Sequence, residues 1–322
     1  MIYNKSLQGR FVSGMFTMPV LLSCALALWL FLSVYGELND SSLSALDINC
    51  TPVTRFMALL CYIGVALILN SLHLFEVRVN WLISLFLWLT VLSTSIQFRL
   101  ETAVSVLALA ASFSILFSCQ LLVDQERRLF TSFAIIASVS LLSPVLLLVL
   151  PFLVAFSFFS NILTIKRFFA MLLGTAAPFW IVFGLCYVYE PAWKILAVIK
   201  DFFECNGFLV FLPPSNIMFS MAAELMVLLP SSILFFSSSS PGKPMLRRRL
   251  FFLILLNSFL MLLSFIMPLQ SELLYACRLP GNAVLLSYIF VLKITKLSNI
   301  YFIFVHIIWV TIALYSLWMG LY

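Results

Sequence analysis

Long apolar stretches follow one another along almost the whole chain, and the short connectors between them hold nearly all of its charge. Hydrophobic residues make up 64% of the sequence and charged residues 9%, against about 45–50% and about 25% in soluble domains. The solvent that such a pattern selects is a lipid bilayer. No stretch is polar enough to form a soluble domain, so residues 1–322 read as a single integral membrane domain.

A helix covers the hydrocarbon core with about 20 residues. Helices and closed barrels alone satisfy every backbone amide there. Barrel strands alternate apolar and polar residues over about 10 positions, and these runs do not alternate. The fold class is therefore all-α, a polytopic transmembrane helix bundle. The sequence predicts about eleven spans, at roughly 11–35, 54–72, 79–98, 102–122, 129–143, 145–164, 168–189, 215–238, 250–268, 280–295 and 299–321. The fifth and sixth share one run from Leu129 to Ile165, about 37 residues, too long for one crossing. Ser143-Pro144 supplies the break.

Cytoplasmic connectors carry an excess of Lys and Arg. With the N-terminus in the cytoplasm, thirteen of the 18 basic residues fall inside and five outside, the five being Arg55, Arg99, Lys194, Lys200 and Arg278. That count requires residues 191–206, which carry Lys194, Lys200, Asp201 and Glu204, to lie on the outer surface as an amphipathic helix. Crossing there would carry Arg247-Arg248-Arg249 outside. The expectation is N-terminus cytoplasmic, C-terminus extracytoplasmic. The net charge of +6 is then the basic excess of a membrane protein in touch with anionic headgroups, and nucleic acid is not implied. Ser237 to Pro244 reads as a cytoplasmic loop, and there is no repeat of fixed period.

Leu21-Leu22-Ser23-Cys24 has the look of a lipoprotein cleavage box. The apolar run continues through Tyr35, however, so an uncleaved first span is expected. The seven cysteines show no CxxC and no spacing to histidine that would indicate zinc or haem. Cys50, Cys205 and Cys277 fall on the predicted outer side, where pairing is open to them.

There is no phosphate-binding glycine loop, no HExxH and no GxSxG, so the common soluble hydrolase and nucleotide-binding signatures are excluded. Eight of the 12 carboxylates fall on the predicted outer side, among them Glu37, Asp40, Glu101 and Glu272. Carboxylates there could act as bases on an acceptor, and arginine or lysine could hold an anionic phosphate; plain solvation of outer loops explains the same distribution. Two polar residues fall inside spans. Glu224 lies about nine residues, ~13 Å, from the outer end of its span, where a carboxylate must be protonated, paired or in a wet cavity. His306 in the last span raises the same question. Either is a relay group, a cavity wall or a helix–helix hydrogen bond.

Several short motifs resemble the multispan GT-C glycosyltransferases. Phe98-Arg-Leu-Glu-Thr102 is similar to their acidic motif at the fourth span, Glu37 and Asp40 stand in the first outer loop, and residues 191–206 match the outer helix after the seventh span. The likeness covers residues 1–210, leaving 215–322 as C-terminal spans. Ser140-Leu-Leu-Ser-Pro144, Lys166-Arg167 and Gly174-Thr-Ala-Ala-Pro178 also resemble an uncharacterised family of bacterial multispan inner-membrane proteins. So do Leu279-Pro-Gly-Asn-Ala-Val-Leu-Leu-Ser-Tyr288 and Lys293-Ile-Thr-Lys296. The GT-C resemblance implies a polyprenyl-phosphate-linked sugar as donor, Glu37, Asp40 and Glu101 as catalytic carboxylates, and Arg55, Arg99, Lys194 and Lys200 as phosphate ligands. It requires no organic cofactor; a divalent metal is compatible with that chemistry, and no metal-ligand spacing calls for one.

Three functions follow as expectations for a bacterial inner-membrane protein of the cell envelope. One is a GT-C-like lipid-linked sugar transferase in glycoconjugate assembly. Another is a non-catalytic scaffold or subunit of an envelope complex, with other membrane proteins as partners. The third is a transporter or flippase that uses Glu224.

Overall fold

A computed structural model of the chain describes residues 23–27, 29, 52–71, 81–92, 99–119, 124–189, 215–237, 244–292 and 296–319. Among them there is no strand. Ten α-helices follow one another: α1 Pro52–Ser71, α2 Trp81–Leu92, α3 Leu100–Ser118, α4 Gln125–Ser140, α5 Leu150–Phe159, α6 Ile165–Tyr189, α7 Ser215–Ser237, α8 Pro244–Ile266, α9 Ser271–Leu292 and α10 Lys296–Met319. Residues 23–27 are helical as well.

Six of these contain stretches long and apolar enough to cross a membrane: Val53–Ser71, Leu100–Ser118, Ile165–Leu185, Met218–Phe236, Leu246–Ile266 and Ser271–Phe290. The expected spans at 54–72, 102–122, 168–189, 215–238 and 250–268 fall on five of them. Pro144–Phe159 and Asn299–Ile312 are shorter apolar helices. The break at Ser143-Pro144 is where the sequence places it: α4 ends at Ser140, a 3-10 turn runs from Pro144 to Val149, and α5 follows. Residues 145–164 are thus not one α-helix.

One boundary needs correction. The tenth span is expected over 280–295, with Pro280-Gly281 at its start. The helix instead starts at Ser271 and runs through both residues. In an apolar surrounding a loop would strand its amides, whereas a helix loses only the single hydrogen bond that proline cannot donate. Arg278, expected outside, is consequently inside the bundle with no exposed surface.

That helix, α9, is the axis of the fold. Its apolar stretch is buried along its whole length, and α1, α2, α3, α7, α8 and α10 all pack on it. The helix α4 joins α3 through Ser112 and Ser132, whose hydroxyls lie 2.7 Å apart. On its other side α6 approaches so closely that a Cβ on Gly174 would stand 2.4 Å from the Phe130 carbonyl oxygen. Small residues at such crossings let helices meet where lipid offers no hydrophobic drive. The chain turns from α5 into α6 through Asn161 at φ 56°. Ile162 N–H donates to the Ser157 carbonyl and Asn161 N–H to that of Phe158, the paired bonds of a left-handed helix stop.

The proline inside α7 is answered by a neighbouring helix. Pro230 of α7 has no N–H for the Met226 carbonyl, and the Tyr301 hydroxyl of α10 donates to that carbonyl instead.

Candidate functional site

The helices arrange polar side chains in three places. The first is the interior, where α7, α8 and α9 meet. Glu224 sits mid-way along α7 with no exposed surface, and its Oε2 lies 3.0 Å from Nε of Arg278, equally enclosed. The contact is ionic, because the N–H is not aligned for a hydrogen bond. Asn282, one turn beyond Arg278, donates from Nδ2 to Glu224 Oε1 at 2.6 Å. Asn257 of α8 donates to Asn282 Oδ1 at 3.2 Å, and Arg278 Nη1 reaches the Ser264 hydroxyl at 3.2 Å. The guanidinium carbon is 5.6 Å from the Tyr275 ring centre. Gly281 makes the network possible: a Cβ there would lie 2.5 Å from Asn257 Nδ2.

An isolated carboxylate in hydrocarbon is unstable unless it is neutralised. Here a cation and an amide supply that, across two helices. Glu224 has no accessible surface, so in this conformation it lines no path through the protein.

The second place is the end of the bundle where α3 and α9 begin. Arg99, in extended conformation just ahead of α3, holds Glu272 of α9 through Nη1 at 3.1 Å. Arg99 is 65% exposed and Glu272 28%, so the pair adds about 0–1 kcal/mol. Glu101, also exposed, accepts a hydrogen bond of 2.8 Å from the Ser143 hydroxyl. Ser105, one turn along, donates to the Glu101 carbonyl and lies 3.4 Å from Ser143 Oγ. Glu101 and Glu272 each stand in the first turn of a helix, where the macrodipole favours a negative charge. The Ser143-Pro144 break thus delivers a hydroxyl to a carboxylate from another helix.

At the far end of α3 arginines predominate, with Asp124 and Glu126 beside them. Arg249 is buried, gives Nη2 to the Phe117 carbonyl at 2.8 Å and lies over the Phe117 ring. Arg248 reaches the Ser160 carbonyl at 3.4 Å, and Arg167 that of Ile162 at 2.7 Å. The helix α3 therefore runs from the Arg99–Glu272 and Glu101–Ser143 contacts to an arginine-rich end. Burial pushes the Cys119 thiol, just beyond α3, up to about 11, against the smaller opposing pull of Arg128 and Arg167.

Of the residues expected in a site, Arg99 and Glu101 meet at one end, and Arg55 is buried in the first turn of α1. His306 is half-buried in α10, with Nδ1 2.8 Å from the Phe302 carbonyl one turn back and its ring against Phe302. Glu37, Asp40, Lys194, Lys200 and the expected outer helix at 191–206 lie outside the described residues. So do Cys50 and Cys205; Cys277 carries a free, buried thiol in α9 and is not presented to the outer surface. Among the described residues no group of three or more His, Cys, Asp or Glu stands together to hold a metal ion.

Arg278, Asn282, Asn257, Ser264 and Ser143 were not foreseen as functional. The signal for the first was Glu224 itself: a carboxylate at that depth demands a cation, and Arg278 carries the one cationic side chain on the neighbouring stretch. No family model, no curated protein and no solved structure matches the chain.

Proposed function

We propose that this multispan membrane protein is a GT-C-like transferase of the bacterial inner membrane, acting on a polyprenyl-phosphate-linked sugar where α3 and α9 begin. The observation that carries the reading is the oriented Glu101 carboxylate, bonded by Ser143 beside the Arg99–Glu272 pair. The excess of basic residues in the other connectors supports an extracytoplasmic setting for that end. In the reaction a carboxylate takes the proton of an acceptor hydroxyl as its oxygen bonds to the sugar's anomeric carbon. The bond from that carbon to the lipid phosphate breaks, and the phosphate departs with the electron pair. Arg99, released from Glu272, neutralises the charge that develops on it, an interaction worth most in a water-poor setting. Glu101, Glu37 and Asp40 are the candidate bases, with Lys194 and Lys200 as further phosphate ligands; Arg55, buried in α1, is not open to the lipid phosphate.

The test is transfer from a polyprenyl-phosphate sugar in proteoliposomes. Glu101→Gln and Arg99→Gln should each lower turnover by about 10² or more, in line with loss of a general base or an oxyanion partner. Unchanged product from Glu101→Gln and from the double variant Glu37→Gln/Asp40→Asn removes the reading.

A second reading, a non-catalytic scaffold of an envelope complex, is favoured by the enclosed Glu224–Arg278 pair, which ties the central helix to α7 rather than facing a substrate. Stoichiometric partners retained in mild detergent would support it; a monomer free of partners would count against it.

A further inference from the structure

The arginine-bearing end holds a feature that the proposed activity does not use. Between α5, α7 and α8 lies a cleft of about 340 Å³, within the range of about 300–1,000 Å³ usual for ligand pockets. Its body is hydrocarbon: Phe152, Phe156 and Phe159 from α5 face Phe251, Phe252 and Leu255 from α8. Its rim is cationic, formed by Arg247 and Arg248, both exposed. Arg247 is held with its guanidinium carbon 5.4 Å from the Phe235 ring centre, which occupies one face and leaves its N–H donors free to turn outward. Arg248 spends one nitrogen on the Ser160 carbonyl. The Ser160 hydroxyl, buried in the same rim, has no hydrogen-bond partner among the described residues. Arg249, third in the row, faces the Phe117 carbonyl and does not line the cleft.

A purely apolar ligand has no use for two guanidinium groups and an unpartnered hydroxyl. A small soluble anion has no use for an aromatic trough. The trough opens where lipid tails would lie, since Phe159 is 64% and Leu255 39% exposed on the bundle's flank. Basic pockets between membrane helices bind anionic headgroups by this chemistry. We propose that the cleft binds one anionic phospholipid, its phosphate between Arg247, Arg248 and the Ser160 hydroxyl, with an acyl chain along the phenylalanines. The inference stands whether or not the chain is a transferase.

The full chain, purified in mild detergent, is titrated with phosphatidylglycerol or with phosphatidylcholine of the same acyl chains, and retained lipid is counted by native mass spectrometry. One phosphatidylglycerol should be retained, about tenfold more tightly than phosphatidylcholine. Arg247→Gln/Arg248→Gln should abolish that preference, while Arg127→Gln/Arg128→Gln, at the same end but outside the cleft, should keep it. Equal retention of the two lipids by the natural sequence overturns the proposal, and so does an equal loss in both arginine pairs, which marks diffuse charge. Ala155→Phe narrows the trough and leaves the arginines in place, and it should weaken retention of both lipids. Retention unchanged in Ala155→Phe overturns the acyl-chain seat, and displacement of the lipid by glycerol phosphate alone would mean a site for free anions.

Discussion

The residue that most shapes this molecule is Glu224, because a carboxylate enclosed among apolar helices has to be neutralised by something equally enclosed. Arg278 does so, and the two then depend on each other. Glu224→Gln alone leaves an uncompensated guanidinium in the interior, and a loss of about 3–5 kcal/mol is expected, as for other broken buried pairs. Replacing both, with Glu224→Leu/Arg278→Met, should recover most of it, since apolar residues of similar volume are tolerated where a buried pair has been removed. Thermal unfolding in detergent reads both; a double variant no more stable than Glu224→Gln would refute the interlock. Cys119 offers a second test at this scale. With its thiol raised to about 11, it is thiolate in only about one molecule in a thousand at pH 8, the thiolate being the reactive form. Maleimide should therefore label it only after denaturation. The sequence makes Glu224 conspicuous by depth alone, but it hides the partner. Pro280-Gly281 is turn punctuation in water, and only the bilayer's demand for satisfied amides makes it helix.

At the scale of the helix, separation is governed by small side chains and by what replaces missing hydrogen bonds. The α4–α6 contact has backbone where a methyl group would go, since a Cβ at residue 174 meets the Phe130 carbonyl oxygen at 2.4 Å and its carbon at 3.1 Å. A backbone cannot swing aside as a side chain can. Gly174→Ala should push α6 outward and cost about 1–3 kcal/mol by overpacking, visible as a lower midpoint of thermal unfolding. Gly184→Ala, with open space around the new methyl, is the control that should change little. Helix existence was legible from apolar runs because the backbone has so few options in lipid. The break at Ser143-Pro144 was legible for the same local reason. Crossing contacts were not: Gly174 is one of 10 glycines, and the small residues after it, Thr175-Ala176-Ala177, do not say which helix it meets.

For the whole molecule, basic charge is sorted along the bundle. Glu101 and Glu272 with their serine and arginine partners stand where α3 and α9 start, and most of the described arginines, with Asp124 and Glu126 among them, gather where α3 ends. The same excess, counted in connectors, sets the expected orientation. A fluorescent reporter that matures only in the cytoplasm should stay dark when fused after Tyr322, and alkaline phosphatase fused there should be active. The reverse pattern would place Glu101 and Arg99 on the cytoplasmic side and move any chemistry at them to that face. Composition fixed the solvent, and connectors gave the charge asymmetry. The identity of the central helix required three dimensions, because α9 is chemically the least suited of the long helices to touch lipid.

That mismatch bears on how the protein is made. Of the six long apolar stretches, Ser271–Phe290 is the least hydropathic, and its arginine alone opposes entry into the bilayer by about 2.5–3.5 kcal/mol near a helix centre. The ribosome emits α7 before it, so the counter-charge on Glu224 is already waiting when Arg278 emerges. Transplanted alone into a host protein, the segment should slip through the translocon into the lumen. Preceded by α7 and α8 it should lodge, with the earlier helices acting as its chaperone.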